Sequence, residues 1–314
     1  MRLARVLVVG GALLVGAPPL AAQASDARAP DDALAVRVGD HWVPWWSAAR
    51  APARWDRASP VLERAVVWTR IANGVELATL RLTAAGALPF RVVLVRLDPA
   101  RLHFDLVRAT RDEGLAGAWT LDSLPGDALF GVNAGQFVGG TPWGWLVVEG
   151  AERQAPGTGS LAMALVLDAT GAARLSSAEE TSRARSVGDA WLAFQSYPAL
   201  LVGEGTVPPA LRAAGRGVDV AHRDARVALG ARRDGRLLVA LTRFDALDGA
   251  LARLPVGPTV GELAALMGGL GCRRAVALDG GLSGQLAVRD AAGRAHRWDG
   301  LRRVPLALVA RPRR

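Results

Sequence analysis

The sequence has one cysteine, Cys272, among 314 residues, which excludes a disulfide framework and any multi-thiolate metal centre. It has no lysine: all 38 basic residues are arginine, set against 29 acidic residues for a net charge of +9. The arginines are scattered among acids rather than clustered with aromatics, so the excess reads as solvated surface and no nucleic-acid partner is expected. The four histidines, His41, His103, His222 and His296, are isolated from one another, and no metal site is expected from them. There is no phosphate-binding P-loop and no dinucleotide fingerprint, and no cofactor is expected. A nucleophile elbow fails as well, because Gly281-Leu282-Ser283-Gly284 is followed by Gln285 where a second glycine should stand. No apolar run reaches the roughly 20 residues that span a bilayer, so stable membrane insertion is not expected. What remains is 51% hydrophobic and 21% charged residues, an ordinary globular composition that must hold together by burial.

What is present begins with an export signal. Arg2 and Arg5 form a positive region, Val6 to Val15 is apolar, Pro18-Pro19 ends any helix, and Ala22-Gln23-Ala24 has the small-x-small form of a cleavage site. Residues 1–24 are expected to be a removable signal peptide, and the protein to be exported to the periplasm or beyond the cell. Residues 25–60 are rich in Ala, Arg, Asp and Pro, and hold four of the ten tryptophans, Trp42, Trp45, Trp46 and Trp55. Without a sustained period, they read as an N-terminal arm that packs its indoles on the domain at 61–314. In that domain, short apolar or alternating runs between turn residues predict strands at 66–68, 75–82, 91–97, 102–108, 129–133, 145–149, 162–168, 199–202, 227–231 and 237–242. One helix is well marked: Thr259-Val260-Gly261-Glu262 is a capping box, and Leu263, Leu266, Met267 and Leu270 follow at helical spacing. Gly271 closes that helix, and the apolar strand Ala275-Val276-Ala277-Leu278 comes next. The fold class is α+β, a mostly antiparallel sheet core with a few packed helices in a single catalytic domain.

Three stretches could carry chemistry. In Leu278-Asp279-Gly280-Gly281-Leu282-Ser283 a buried strand delivers a carboxylate to its end, and two glycines let successive N–H groups point at one anion. A carboxylate beside an anion nest suits hydrolysis of a phosphodiester or glycosidic bond, while the plain alternative is a turn capped by Asp279. In Gly131-Val132-Asn133-Ala134-Gly135-Gln136-Phe137 an apolar strand ends in one of only two asparagines, with Trp143 shortly after to stack on a sugar or cover the sheet. In Arg223-Asp224-Ala225-Arg226-Val227-Ala228-Leu229-Gly230 an arginine opens a strand, where its planar fork can hold a phosphate or simply meet solvent.

Taken in order, these stretches resemble the phosphodiester glycosidase domain family. Its Asn-Gly-Gly-Phe-Phe motif is matched by Asn133-Ala134-Gly135-Gln136-Phe137, and its Gly-rich turn into a strand by Gly144-Trp145-Leu146-Val147-Val148. Its Gln-x-x-Pro-x-Leu stretch is matched by Gln195-Ser196-Tyr197-Pro198-Ala199-Leu200, its Arg-Thr-Ala-Ile-Gly strand by Arg226-Val227-Ala228-Leu229-Gly230, and its Leu-Asp-Gly-Gly-Gly-Ser loop by 278–283. Ala134, Gln136, Val227 and Leu282 depart from the pattern. The resemblance implies a hydrolase that cleaves a sugar-1-phosphodiester of an envelope or extracellular glycan on the glycosidic side. It implies Asp279, Arg226, Asn133 and Ser283 as catalytic residues, with Gly280, Gly281, Gln136, Trp143 and Gln195 binding substrate. In that picture Arg226 and the glycine loop hold the diester anion, Asp279 acts at the anomeric carbon, and Asn133 and Ser283 orient oxygens. Asp98 is one candidate for a second carboxylate. The competing reading is a non-catalytic exported protein of the same fold that binds glycan or anionic polymer.

Overall fold

The computed structural model describes residues 33–84, 88–108 and 119–313; the expected signal peptide at 1–24 lies outside them. The chain opens with β1 (Ala33–Val38), β2 (His41–Ser47), α1 (Pro60–Ala65), β3 (Thr69–Ala72), β4 (Val75–Ala84), β5 (Leu88–Leu97) and β6 (Leu102–Arg108). It continues through β7 (Phe130–Asn133), β8 (Phe137–Val138), β9 (Thr141–Pro142), β10 (Leu146–Val148), β11 (Ala151–Gln154), β12 (Met163–Leu167), β13 (Ala173–Ser177) and α2 (Ala178–Val187). There follow β14 (Leu192–Ser196), β15 (Ala199–Leu201), β16 (Val227–Arg232), β17 (Leu237–Phe244), α3 (Val260–Gly269) and β18 (Cys272–Leu278). The last strands are β19 (Leu286–Arg289), β20 (Ala295–Trp298) and β21 (Leu306–Pro312). The architecture is α+β, with antiparallel sheets and few helices.

A nine-stranded sheet runs β15-β18-β16-β17-β5-β4-β1-β2, with β3 attached to β4. Two five-stranded sheets, β11-β10-β14-β12-β13 and β20-β19-β7-β21-β6, pack on one of its faces. Alternation along the strands explains this layering. Val227, Leu229, Val239, Leu241, Val276 and Leu278 of the large sheet share a core with Leu165 and Phe194 of the second sheet and with Val132 and Leu308 of the third. The intervening residues Ala228, Leu238, Ala240, Ala275 and Ala277 face the other way, onto Leu263, Leu266 and Met267 of α3 and Leu62 of α1. A sheet covered on both faces reads as unbroken apolar sequence, as β17 does.

Of the segment read as an arm, residues 33–47 are instead part of the sheet. β1 and β2 form an antiparallel pair, and β1 continues the ladder at Val36↔Leu82 of β4. Its inward residues Leu34 and Val36 are buried, and Trp45, Trp46 and Trp55 pack against the same cluster. A hairpin that alternates only over β1 and carries bulky indoles through β2 shows no clean period. The strand expected at 66–68 is absent: α1 ends at Ala65, and pairing begins only at Thr69.

Candidate active site

Val227 of β16 and Leu278 of β18 are paired, so Arg226, just before one strand, and Asp279, just after the other, leave the same end of the large sheet. The other two sheets meet them there. Asn133, the last residue of β7 and 1% exposed, donates from Nδ2 to the Asp279 carbonyl at 2.6 Å and accepts at Oδ1 from the Gln285 N–H at 2.9 Å. The Asp279 N–H donates to the Gly135 carbonyl at 3.1 Å. Ser196, ending β14, donates to the Ala277 carbonyl at 2.6 Å. Asp279 thus sits where three sheets are tied together through main-chain groups.

These bonds change the roles expected of two residues. Both ends of the Asn133 amide are spent on backbone, so it positions the Asp279 loop rather than orienting a ligand oxygen. Gln195 accepts from the N–H groups of Trp145 (2.9 Å) and Gly157 (2.8 Å) and donates to the Gly157 carbonyl (3.2 Å). With its amide engaged at both ends and only 1% exposed, Gln195 holds the 144–157 segment. Gln136 donates to the Tyr197 carbonyl at 3.1 Å, and its own oxygen has no partner among the described residues. Trp143 stands edge-on to Tyr197, with ring centres 6.5 Å apart, and the Tyr197 hydroxyl donates to the Gly217 carbonyl at 3.1 Å. Gln136, Trp143 and Tyr197 therefore form one connected wall.

The glycine loop serves close packing before it serves an anion. The Gly281 N–H donates to the Ala225 carbonyl at 2.7 Å, and the Ser283 N–H to the Gly280 carbonyl at 3.0 Å. A Cβ on Gly280 would lie 2.4 Å from the Ala225 carbonyl oxygen, so only glycine lets the loop rest on residues 224–226. Arg226 also looks inward: Nε donates to the Pro258 carbonyl at 3.1 Å and Nη2 to the His222 carbonyl at 2.7 Å. Arg223 grips Glu262 of the α3 capping box with two bonds of 2.7 Å. Together they brace residues 222–226 against the start of α3, and Nη1 is the part of Arg226 with no partner among the described residues.

Charge is concentrated around Asp279. Burial raises its pKa; the Ser283 hydroxyl and the Arg302 guanidinium oppose that shift, and the Asp224 carboxylate adds to it. Burial lowers the pKa of Arg226, while Asp224, Asp219 and Glu262 pull it back up. Arg302 lies over the Phe137 ring, 5.1 Å from its centre. Beneath the loop, Arg243 is 5% exposed and donates to the carbonyls of Gly284 (2.6 Å), Trp298 (3.1 Å) and Asp299 (3.2 Å); desolvation lowers its pKa to about 10, which leaves it charged at neutral pH.

Three residues here escaped the sequence reading: Asp224, Arg302 and Tyr197. Asp224 stands two positions before Arg226, but one acid among many arginines carries no local signal. Its neighbourhood is set by tertiary packing: a Cβ on Gly281 would come within 3.1 Å of its Oδ2. Asp98 is not the second carboxylate. The register Leu97↔Leu237 and Ala231↔Leu237 sets it at the opposite end of the sheet from Val227, about 16 Å away along the strands, where it caps its own turn. Among the described residues, no group of three or more His, Cys, Asp or Glu is gathered as a metal site, and no helix is long and apolar enough to cross a membrane.

Residues 126–311 match the family model described as phosphodiester glycosidase. Among solved structures, the chain resembles the catalytic domain of zebrafish N-acetylglucosamine-1-phosphodiester alpha-N-acetylglucosaminidase, auto-inhibited by its pro-peptide, with a TM-score of 0.57 and 14% identity over 84% of this chain and 94% of that one. It also resembles a hypothetical protein from Synechocystis, with a TM-score of 0.55 and 14% identity over 79% of this chain; it spans 64% of that protein's length. At such identity these likenesses carry the fold. No curated protein matches the chain.

Proposed function

The chain belongs to the phosphodiester glycosidase family, and we propose that it is an exported hydrolase that cleaves a sugar-1-phosphodiester between the anomeric carbon and the bridging oxygen. The observation that carries this reading is the Asp279 carboxyl, buried enough to favour its protonated form and held by Asn133 at the junction of three sheets. A carboxyl whose pKa is raised by burial is the better proton donor to the oxygen that leaves with phosphate. Arg302 and the free edge of Arg226 supply the positive charge a diester anion needs. Gln136 and Trp143 offer an amide oxygen and an indole to the sugar. Phosphate is a good leaving group, so the barrier lies mainly in developing positive charge at the anomeric carbon.

The position of bond cleavage tests it. Hydrolysis of a sugar-1-phosphodiester in ¹⁸O-water, followed by ³¹P NMR and mass spectrometry, should give free sugar carrying the label and an unlabelled phosphomonoester. Asp279→Asn should lower kcat by about 100-fold or more with KM little changed. Label in the phosphate, or sugar-1-phosphate as product, overturns the reading. Tight binding of diester without turnover supports the non-catalytic glycan binder instead.

A further inference from the structure

Five buried side-chain polar atoms lack a hydrogen-bond partner among the described residues: Trp45 Nε1, Arg96 Nε, Trp119 Nε1, Asp224 Oδ1 and Asp279 Oδ2. Two are carboxylate oxygens, and both belong to this site. In a chain with 38 arginines, an acid lacks a donor only where the fold keeps donors away, and an unpaired buried carboxylate oxygen costs stability. Elsewhere acids are matched: Glu262 by Arg223, Glu180 by Arg274, Asp245 by Arg81 and Arg91. Two carboxylates that each keep one buried oxygen unpartnered at one point mark a site kept for a ligand.

We propose that Asp224 is the second carboxylate of the reaction, taking a proton from the water that attacks the anomeric carbon while Asp279 protonates the bridging oxygen. This rests on the glycosidase reading above. The bond between water oxygen and anomeric carbon forms as the bond from that carbon to the bridging oxygen breaks. The water's proton passes to Asp224, the proton of Asp279 leaves with the phosphomonoester, and exchange with solvent resets both groups.

The surroundings suit these roles. Asp224 is 24% exposed at its side chain, open enough to meet a water molecule. On its own loop it faces His222, whose Nε2 lies 3.7 Å from Oδ2, and the charge of Arg226. From the glycine loop it faces Gly281 and feels Asp279. From the start of α3 its N–H meets the Pro258 carbonyl at 3.5 Å, and Glu262 there is occupied by Arg223. His222 and Arg226 stand beside Asp224, and its carboxylate adds to the burial that raises the pKa of Asp279. Two carboxyls whose settings differ in this way divide acid and base work. Activity should then fall in alkali as Asp279 loses its proton.

Asp224→Asn tests this with two readouts, after circular dichroism has established that the variant folds; Oδ1 has no partner to lose. The first does not depend on activity: carboxyl-carbon NMR should show the Asp279 titration midpoint fall once its charged neighbour is gone. An unchanged midpoint overturns the pairing, whether or not any substrate is turned over. The second is kinetic: kcat should drop about 100-fold or more with KM little changed. Wild-type kcat in Asp224→Asn overturns the role of Asp224 while leaving the glycosidase reading standing. A wild type that turns over no sugar phosphodiester takes down that reading and this role together.

Discussion

At the scale of single residues, Asp279 shows a site working against stability. Its pKa is raised in the folded protein, chiefly by burial, above the value of about 3.9 it has unfolded. A carboxyl shifted in this direction costs stability wherever the unfolded chain has released the proton more fully, at neutral pH above all, and costs nothing in acid where both states hold it. Asp279→Asn should therefore raise Tm at pH 7 and leave it unchanged near pH 3; a lowered Tm at pH 7 would show the carboxylate to be structurally satisfied. Asn133 behaves oppositely. Asn133→Ala strands the Asp279 carbonyl and the Gln285 N–H, at about 1–3 kcal/mol for each group left buried and unpaired. Denaturant unfolding should register that loss, and kcat should fall with it because the loop carrying Asp279 loses its anchor. Asn133 was conspicuous in the sequence as one of two asparagines, but its role was not legible there. Both partners are backbone groups some 150 positions later, and only the packing of β7 against β19 and β18 brings them near.

At the scale of elements, legibility followed whether the signal was local. α3 was fully marked in sequence, and both halves of its capping box are formed: Glu262 N–H donates to Thr259 Oγ1 at 3.2 Å and Thr259 N–H to Glu262 at 2.9 Å. α2 has the same device in Ser177 and Glu180, yet it buries only Thr181 and Ala184, so no apolar period drew attention to it. β1 and β2 escaped because pairing with β4, not their own pattern, defines them. The glycine loop after β18 was recognised, but as an anion nest; its first demand proves to be contact with the backbone of 224–226. Gly280→Ala measures that demand. Its methyl would meet a main-chain carbonyl at 2.4 Å, a contact that no side-chain rotation relieves. The loop must lift, at about 1–3 kcal/mol for an overpacked position. Because Asp224 and Asp279 stand on the two surfaces pushed apart, kcat should fall more than tenfold while circular dichroism stays unchanged. Full activity in Gly280→Ala would mean that the two loops need not touch.

At the scale of the whole molecule, the three sheets share one core, and the hairpin at 33–47 completes the second core on the far face of the large sheet. An arm can be removed; an edge pair that buries Leu34 and Val36 at 1% and 0% exposure cannot. Each such side chain contributes about 1.5–3 kcal/mol on burial, and losing β1 also uncovers Leu80 and Leu82 of β4 and leaves that strand as an unprotected edge. Against a total stability of about 5–15 kcal/mol for a domain, deletion of residues 25–47 should unfold or aggregate the protein. The proposed export signal would draw the line at a different point, since cleavage after Ala24 would remove none of the hairpin. A chain beginning at Ser25 should thus fold with the Tm of the full sequence, and N-terminal sequencing of protein recovered from the periplasm or medium should find that start. Thermal unfolding of the two shortened chains separates the cases. If the chain lacking 25–47 melts as high as the one starting at Ser25, the hairpin is dispensable and the fold begins, as its sequence first implied, near residue 61.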